Sequence, residues 1–85
     1  MPKFKLLITK KVAKQIKQFG EKLRLKTLKS LAAIELDPYL GKKLQGKLKN
    51  YYSHKAWPLR IIYRIYKSKL EILVITVGQQ ESVYK

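Results

Sequence analysis

The hydrophobic periodicity of this chain changes once, near residue 50, and that change limits the fold more than any other feature. From residue 12 to residue 36, apolar residues recur every three or four positions, as on one face of an α-helix. After the change, they alternate or form short continuous runs, as in β-strands. A chain of 85 residues can bury one modest core, so its helices and strands must share it. The pattern predicts a single α+β domain over residues 1–85.

The N-terminal half is predicted to hold one strand and a helical hairpin. Residues 4–8 are apolar and short, which favours a strand, and Thr9 can cap a helix that follows it. Gly20 separates two helical patterns, and Asp37-Pro38 ends the second, because the residue before a proline avoids the helical conformation. The first helix has Val12, Ile16 and Phe19 on its apolar face, and the second has Leu25, Leu28, Leu31, Ala32 and Leu36.

The C-terminal half is predicted to form an antiparallel β-meander packed on the helices. After a basic connection over residues 39–49, strands are expected at residues 51–55, 59–66 and 70–77, with turns at 56–58 and 67–69. The third strand is almost continuously apolar, so we expect it to be central and buried on both faces, and to be broken by Gly78.

The charge of the chain indicates a polyanionic partner. Lysine and arginine total 20 against 5 acidic residues, a net charge of +15, which attracts nucleic acid or an acidic protein. The alternative is that the lysines are only the solvated faces of helices. The chain has no cysteine and one histidine, so we expect no metal site and no cofactor. It has neither a membrane-spanning run nor a signal-like segment, so we expect a cytoplasmic protein.

Alternation along residues 59–66 predicts that Arg60 and Arg64 lie on the sheet face opposite the helices. Guanidinium groups bind phosphate and tyrosine rings stack on unpaired bases, so this face suits RNA. The alternative is that both arginines edge the sheet and pair with Glu71 or Glu81. His54 is expected to be a surface or half-buried residue, and Trp57 to cap the packing beside its turn.

Four segments resemble the RelE/ParE superfamily of type II toxin–antitoxin toxins. They are GKKLQG at residues 41–46, YYS at 51–53, LRIIYRI at 59–65, and VG at 77–78 followed by VY at 83–84. The resemblance implies the RelE/ParE-like fold, with an N-terminal strand, a helical hairpin and an antiparallel meander. It also implies a toxin held by a cognate acidic antitoxin.

The resemblance further implies a ribosome-dependent mRNA interferase. This is a metal-independent endoribonuclease that inhibits translation by using a ribose 2′-hydroxyl as nucleophile. Matched by position, Arg60 would stabilise the transition state, Tyr84 would orient the substrate, and Lys55 would supply a cation. The RNA-contacting set would be Lys47, Lys49, Tyr51, Ser53, Arg64 and Gln80.

Two departures from the superfamily pattern leave other functions open. Gln79 and Gln80 follow Val77-Gly78, where basic residues are usual, and Tyr51 and Ser53 occupy the positions of two lysines in ribonuclease members. Loss of a charge-stabilising donor costs about 10²–10³ in rate. The alternatives are therefore a ParE-like toxin that inhibits DNA gyrase, or a catalytically weakened basic binding module.

Overall fold

In the computed structural model, which describes residues 3–44 and 50–79, strands and helices follow the predicted α+β order. Neither α-helix in these ranges is long and apolar enough to cross a membrane. Short 3-10 helices cover Pro38–Leu40 and Lys67–Lys69. The main elements are β1 (Lys5–Ile8), α1 (Lys10–Gln18), α2 (Glu21–Leu36), β2 (Lys42–Lys43), β3 (Tyr51–Ala56), β4 (Leu59–Tyr66) and β5 (Glu71–Gln79).

The described strands form one mixed sheet in the order β1-β5-β4-β3-β2. The predicted meander of β3, β4 and β5 is confirmed, and β2 extends it with a further antiparallel edge strand. β1 pairs with β5 in parallel, because the chain crosses between these strands through both helices and the meander. The prediction that Gly78 breaks the last strand is wrong, since Gly78 lies within β5 opposite Arg60.

α1 follows its predicted pattern. The Val12 backbone N–H donates to Oγ1 of Thr9 at 3.1 Å, so the cap satisfies a donor that the first helical turn leaves free. Val12 and Ile16 are buried in the core, and Phe19 packs partly against it. The amphipathic spacing therefore placed this helix correctly.

The predicted apolar face of α2 is wrong. Leu31 is buried as expected, but Leu25, Leu28 and Leu36 are 53%, 51% and 88% exposed. The helix turns a different side to the sheet, with Thr27, Ser30, Leu31 and Ile34 buried. Thr27 can be buried because its hydroxyl donates to the carbonyl oxygen of Leu23 at 2.8 Å.

The core lies between the helices and one face of the sheet. Alternation in β4 is confirmed, because alternate side chains of that strand are buried and the others are half-buried. β5 lies inside the sheet, but its predicted burial on both faces is wrong, since only one side is fully buried. The sheet contributes Leu59, Ile61, Tyr63, Ile65, Ile72, Val74 and Val77 to the core, and the helices contribute Val12, Ile16, Leu31 and Ile34.

A β-bulge in β5 is held by a side chain from α1. Ile62 pairs with Thr76 whereas Tyr63 pairs with Val74, so β5 has one extra residue there. The Val77 backbone N–H donates to Oε1 of Gln15 at 3.1 Å. This bond supplies a backbone partner beside the irregularity in the ladder and fixes α1 against the sheet.

Candidate nucleic-acid interface

The sheet face opposite the helices, here called the open face, carries the predicted arginines. Residues directly opposite each other in an antiparallel pair project to the same side of the sheet. The register pairs Tyr51 with Arg64, and Lys55 with Arg60. These four residues therefore share the open face, where the sequence predicts Arg60 and Arg64.

A cavity of about 520 Å³ opens at the β2–β3 end of this face. Its lining combines three cations, Lys42, Lys55 and Arg60, with the apolar side chains of Leu40 and Leu44. None of the described lining residues is acidic. Cations beside apolar walls suit a ligand that has both phosphate groups and flat bases.

Lys42 reaches this cavity because of a close approach between the segment before β2 and the sheet. The Tyr63 hydroxyl donates to the carbonyl oxygen of Pro38 at 2.7 Å and accepts from the Gly41 N–H at 3.0 Å. A Cβ atom on Gly41 would lie 2.7 Å from the Tyr63 hydroxyl oxygen and 2.9 Å from the carbonyl oxygen of Ser53. Glycine is therefore required at this position, and it leaves Lys42 paired with Ser53.

Tyr63 also ends a chain of aromatic contacts that crosses the helix-facing side of the sheet. It stacks on Tyr52 with ring centroids 5.7 Å apart, and Tyr52 meets Tyr39 edge-on at 5.8 Å. Tyr39 in turn contacts Phe4 at 6.4 Å. Burial raises the pKa of Tyr63, so its hydroxyl stays protonated and keeps both hydrogen bonds.

Ser53 places a polar atom beside the same cavity. The residue is 5% exposed, and its hydroxyl oxygen is buried with no hydrogen-bond partner among residues 3–44 and 50–79. A buried hydroxyl without a partner typically costs about 1–3 kcal/mol. Ser53 is therefore a candidate to gain a hydrogen bond when a ligand enters.

Arg64 is positioned by two tyrosine rings. Its guanidinium carbon lies 4.8 Å from the ring centre of Tyr66 and 5.5 Å from that of Tyr51. Such cation–π contacts restrict the side chain while leaving its charge intact. The arginine is therefore held on the open face in a form that can bind phosphate.

His54 pairs with the buried Ile61, so its side chain projects to the helix-facing side of the sheet, away from Lys55 and Arg60. It is half-buried, and desolvation lowers its pKa below the ordinary 6.5. The neutral imidazole can accept a proton. Among the described residues, no three potential metal ligands of the His, Cys, Asp or Glu type lie close together.

The structure brings together part of the predicted site. Lys55, Arg60 and Ser53 line the cavity, and Tyr51 and Arg64 share the adjoining part of the open face. Lys42, Leu40 and Leu44 were missed, since their segment showed only a basic connection without a strand pattern. Four predicted residues lie outside the described ranges, namely Lys47, Lys49, Gln80 and Tyr84, as does Glu81.

Comparison with the sequence profiles of protein families tests the family resemblance of this chain. The sequence profile of the ParE toxin of type II toxin–antitoxin systems matches residues 6–84. The chain belongs to the ParE toxin family. Membership confirms the resemblance to the RelE/ParE superfamily and identifies a toxin of the type II class. No curated protein matches the sequence as a relative.

Solved structures show that this ParE-family chain has the RelE fold. The isolated RelE toxin of E. coli superimposes with a TM-score of 0.81 at 26% identity, over 95% of this chain and 90% of that one. The RelBE2 toxin–antitoxin complex of Mycobacterium tuberculosis gives 0.83 at 15% identity, over 92% and 99%. The archaeal RelE–RelB complex of Pyrococcus horikoshii OT3 gives 0.78 at 18% identity, over 93% and 97%.

Proposed function

We propose that this toxin is an mRNA interferase whose open face binds ribosome-bound message and cleaves it. The observation that supports this most is the cavity of the open face, where Lys42, Lys55 and Arg60 come together and no described lining residue is acidic. RNA cleavage by the 2′-hydroxyl requires cations around the phosphate and a group that accepts the hydroxyl proton. The cavity offers the cations.

In the proposed reaction, the ribose 2′-oxygen attacks the neighbouring phosphorus and the bond from phosphorus to the 5′-oxygen breaks. His54 pairs with the buried Ile61 and projects to the helix-facing side of the sheet, so it is not the acceptor of the 2′ proton. That proton passes to water, and the departing 5′-oxygen takes a proton from water. Arg60 and Lys55 would stabilise the charge on the phosphate oxygens. Tyr84 keeps the orienting role that the family resemblance implies for it.

The test is expression from a tightly controlled promoter, followed by primer extension on a reporter mRNA. We expect cleavage by the native toxin and a loss of about 10²–10³ in rate for Arg60→Ala, because a charge-stabilising donor is removed. Arg24→Ala is the matched control, since Arg24 is exposed on α2. Growth arrest with intact mRNA, or equal cleavage by Arg60→Ala, would refute the proposal.

Inhibition of DNA gyrase is the second candidate function. It is favoured by Gln79 and by the presence of Tyr51 and Ser53 where ribonuclease members carry lysines, because these residues supply no cation. The same expression experiment separates the two functions. Induction of DNA damage signalling with intact message would support gyrase inhibition.

We also propose that an acidic antitoxin docks on α2. The exposed side chains of Leu25, Leu28, Ala32 and Leu36 recur at helical spacing and form one stripe on the side of α2 away from the core, here called the α2 stripe. Lys22, Lys26 and Lys29 run along one side of it. Such a stripe suits the apolar face of a partner helix, with acidic residues opposite the lysines. Related toxins from M. tuberculosis and P. horikoshii form complexes with antitoxins.

Neutralisation of toxicity tests this docking surface. A short acidic open reading frame beside the toxin gene, if co-expressed, should restore growth to cells that express the native toxin. It should fail to protect cells that express Leu25→Asp/Leu28→Asp, which still kills because the open face is unchanged. Leu70→Asp is the control, since Leu70 is also exposed but lies outside α2. Full protection against the double variant would exclude the α2 stripe.

A further inference from the structure

Trp57 is exposed at the tip of the β3–β4 hairpin. It is the single tryptophan of the chain and is 65% exposed. The expectation that it caps the packing beside the turn is therefore wrong. Among the residues that the structure describes, its ring contacts no other aromatic ring and no cation. Tryptophan is usually buried over most of its surface, whereas the ring of Trp57 is available to a ligand.

The hairpin places Trp57 close to two of the cavity cations. Ala56 pairs with Leu59 and Lys55 pairs with Arg60, so only Trp57 and Pro58 form the turn. A strand rises about 3.4 Å per residue, which puts the Trp57 backbone about 7 Å along the strand from Lys55. A single nucleotide bound to these cations could therefore lie within reach of the indole ring.

We infer that Trp57 is a stacking platform for an unpaired base of single-stranded RNA whose phosphate is bound by Lys55 and Arg60. The inference rests on the proposed RNA-binding function and adds a base-contacting residue to it. Indole offers a large flat surface, and base stacking on aromatic side chains tolerates every base. The cations would hold the backbone while Trp57 holds the adjoining base.

A protein anchor is the other use of an exposed tryptophan, and the surroundings favour RNA. Tryptophans that bind a protein partner strongly cluster near the centre of an interface, surrounded by other contact residues. Trp57 instead lies at a turn tip, and the nearest strand pair on the open face is Lys55 with Arg60. That environment resembles the mixture of cations and aromatic rings that binds single-stranded nucleic acid.

The lone tryptophan makes the contact directly measurable. An unstructured RNA oligonucleotide of about 12 nucleotides, titrated into the purified full-length toxin, should quench Trp57 fluorescence. The quench should saturate at the same concentration as the anisotropy of the labelled RNA. An oligonucleotide of the same length with abasic positions should still bind through its phosphates but should quench little. Equal quenching by the abasic oligonucleotide would overturn the inference.

Substitutions separate stacking from mere apolar contact. Trp57→Leu should weaken RNA binding by about 5- to 150-fold, the range measured when one stacked base loses its aromatic partner, and Trp57→Phe should restore most of the affinity. The slope of log Kd against log salt should be unchanged in both variants, because no phosphate contact is lost, whereas Lys55→Ala should make it shallower. Thermal unfolding checks that each variant is folded.

The outcomes distinguish this inference from the function on which it rests. If the native toxin binds RNA and Trp57→Leu binds it equally well, only the stacking role is refuted. If the native toxin binds no RNA at low salt, the proposed function fails and the stacking role with it. If Trp57→Leu keeps its RNA affinity but escapes neutralisation by the antitoxin, Trp57 is a protein anchor and the inference is overturned.

Discussion

Removal of one oxygen atom, in Tyr63→Phe, should destabilise the fold and loosen the segment that carries Lys42. The hydroxyl is buried, donates to the Pro38 carbonyl oxygen at 2.7 Å and accepts from the Gly41 N–H at 3.0 Å. Phenylalanine keeps the stacking on Tyr52 but leaves both backbone groups without this partner. An orphaned buried group costs about 1–3 kcal/mol. Because Gly41 is only half-buried, water can replace part of its bond, and we expect a total loss of about 2 kcal/mol.

Urea denaturation followed by circular dichroism measures this loss directly. For a domain of 60–100 residues, 1 kcal/mol shifts the melting temperature by about 4–8 °C, so Tyr63→Phe should melt about 8–16 °C below the native protein. Tyr66→Phe is the matched control on the same strand, since its hydroxyl forms no hydrogen bond within the described ranges. A Tyr63→Phe effect below about 0.5 kcal/mol, or no larger than that of the control, would refute the reasoning.

A double-mutant cycle tests whether Tyr63 and Gly41 act as one unit. Gly41→Ala should be strongly destabilising, because the new Cβ would lie 2.7 Å from the Tyr63 hydroxyl oxygen and 2.9 Å from the Ser53 carbonyl oxygen. In a Tyr63→Phe background the first of these contacts is gone, so the same change should cost less. Residues in contact typically show coupling of about 0.5–3 kcal/mol. Strictly additive effects would mean that the close approach is relieved by other movements.

Two further predictions concern the helix-facing side of the sheet. Gln15→Leu should cost about 1–2 kcal/mol in urea denaturation, because the Val77 N–H loses its acceptor at 3.1 Å, whereas Gln18→Leu, exposed on the same helix, should cost much less. For His54, the folded-state pKa lies below 6.5, so the unfolded chain binds more protons in acid; stability should be complete above about pH 6.5 and should fall as the pH drops below it. Thermal melts across that range should show a smaller fall for His54→Gln, and an equal fall would contradict the assignment to this histidine.

Strand alternation predicted the open face well because the side-chain period of a strand is independent of distant contacts. Once residues 59–66 were recognised as one strand, Arg60 and Arg64 had to project away from Tyr63. The pairing of Tyr51 with Arg64 then follows from a short hairpin turn, which leaves little freedom in register. The most informative part of the site was therefore accessible from sequence alone.

The buried side of α2 could not be predicted in the same way. Leucines on this helix lie on two opposite sides, and their spacing does not indicate which side meets the sheet. The structure buries Thr27 and Ser30, polar residues that a hydrophobic pattern assigns to solvent. Leu25 and Leu28 are exposed instead. The regular spacing of these exposed leucines therefore indicates a surface that a partner can contact. Only the tertiary structure shows that this surface is not part of the core.

Lys42 was missed because its position depends on a tertiary contact rather than on a local pattern. Only two residues form β2, too few for a periodicity. What fixes them is the bond between Gly41 and Tyr63, which are 22 residues apart. Gly41 is visible in the sequence as a glycine within a basic loop. The sequence does not show that a side chain there would collide with the Tyr63 hydroxyl oxygen and the Ser53 carbonyl oxygen.

The separation of the α2 stripe from the open face bears on how an antitoxin could silence this toxin. The α2 stripe faces away from the core, whereas the open face lies on the far side of the sheet. The described residues measure at least 21 Å along every principal axis, well beyond the Debye length of about 8 Å at physiological salt. Acidic residues docked on α2 would therefore be too strongly screened to neutralise Lys55 and Arg60. With the proposed docking on α2, neutralisation would require either a second antitoxin segment that covers the open face or a bound antitoxin large enough to keep the toxin from its target.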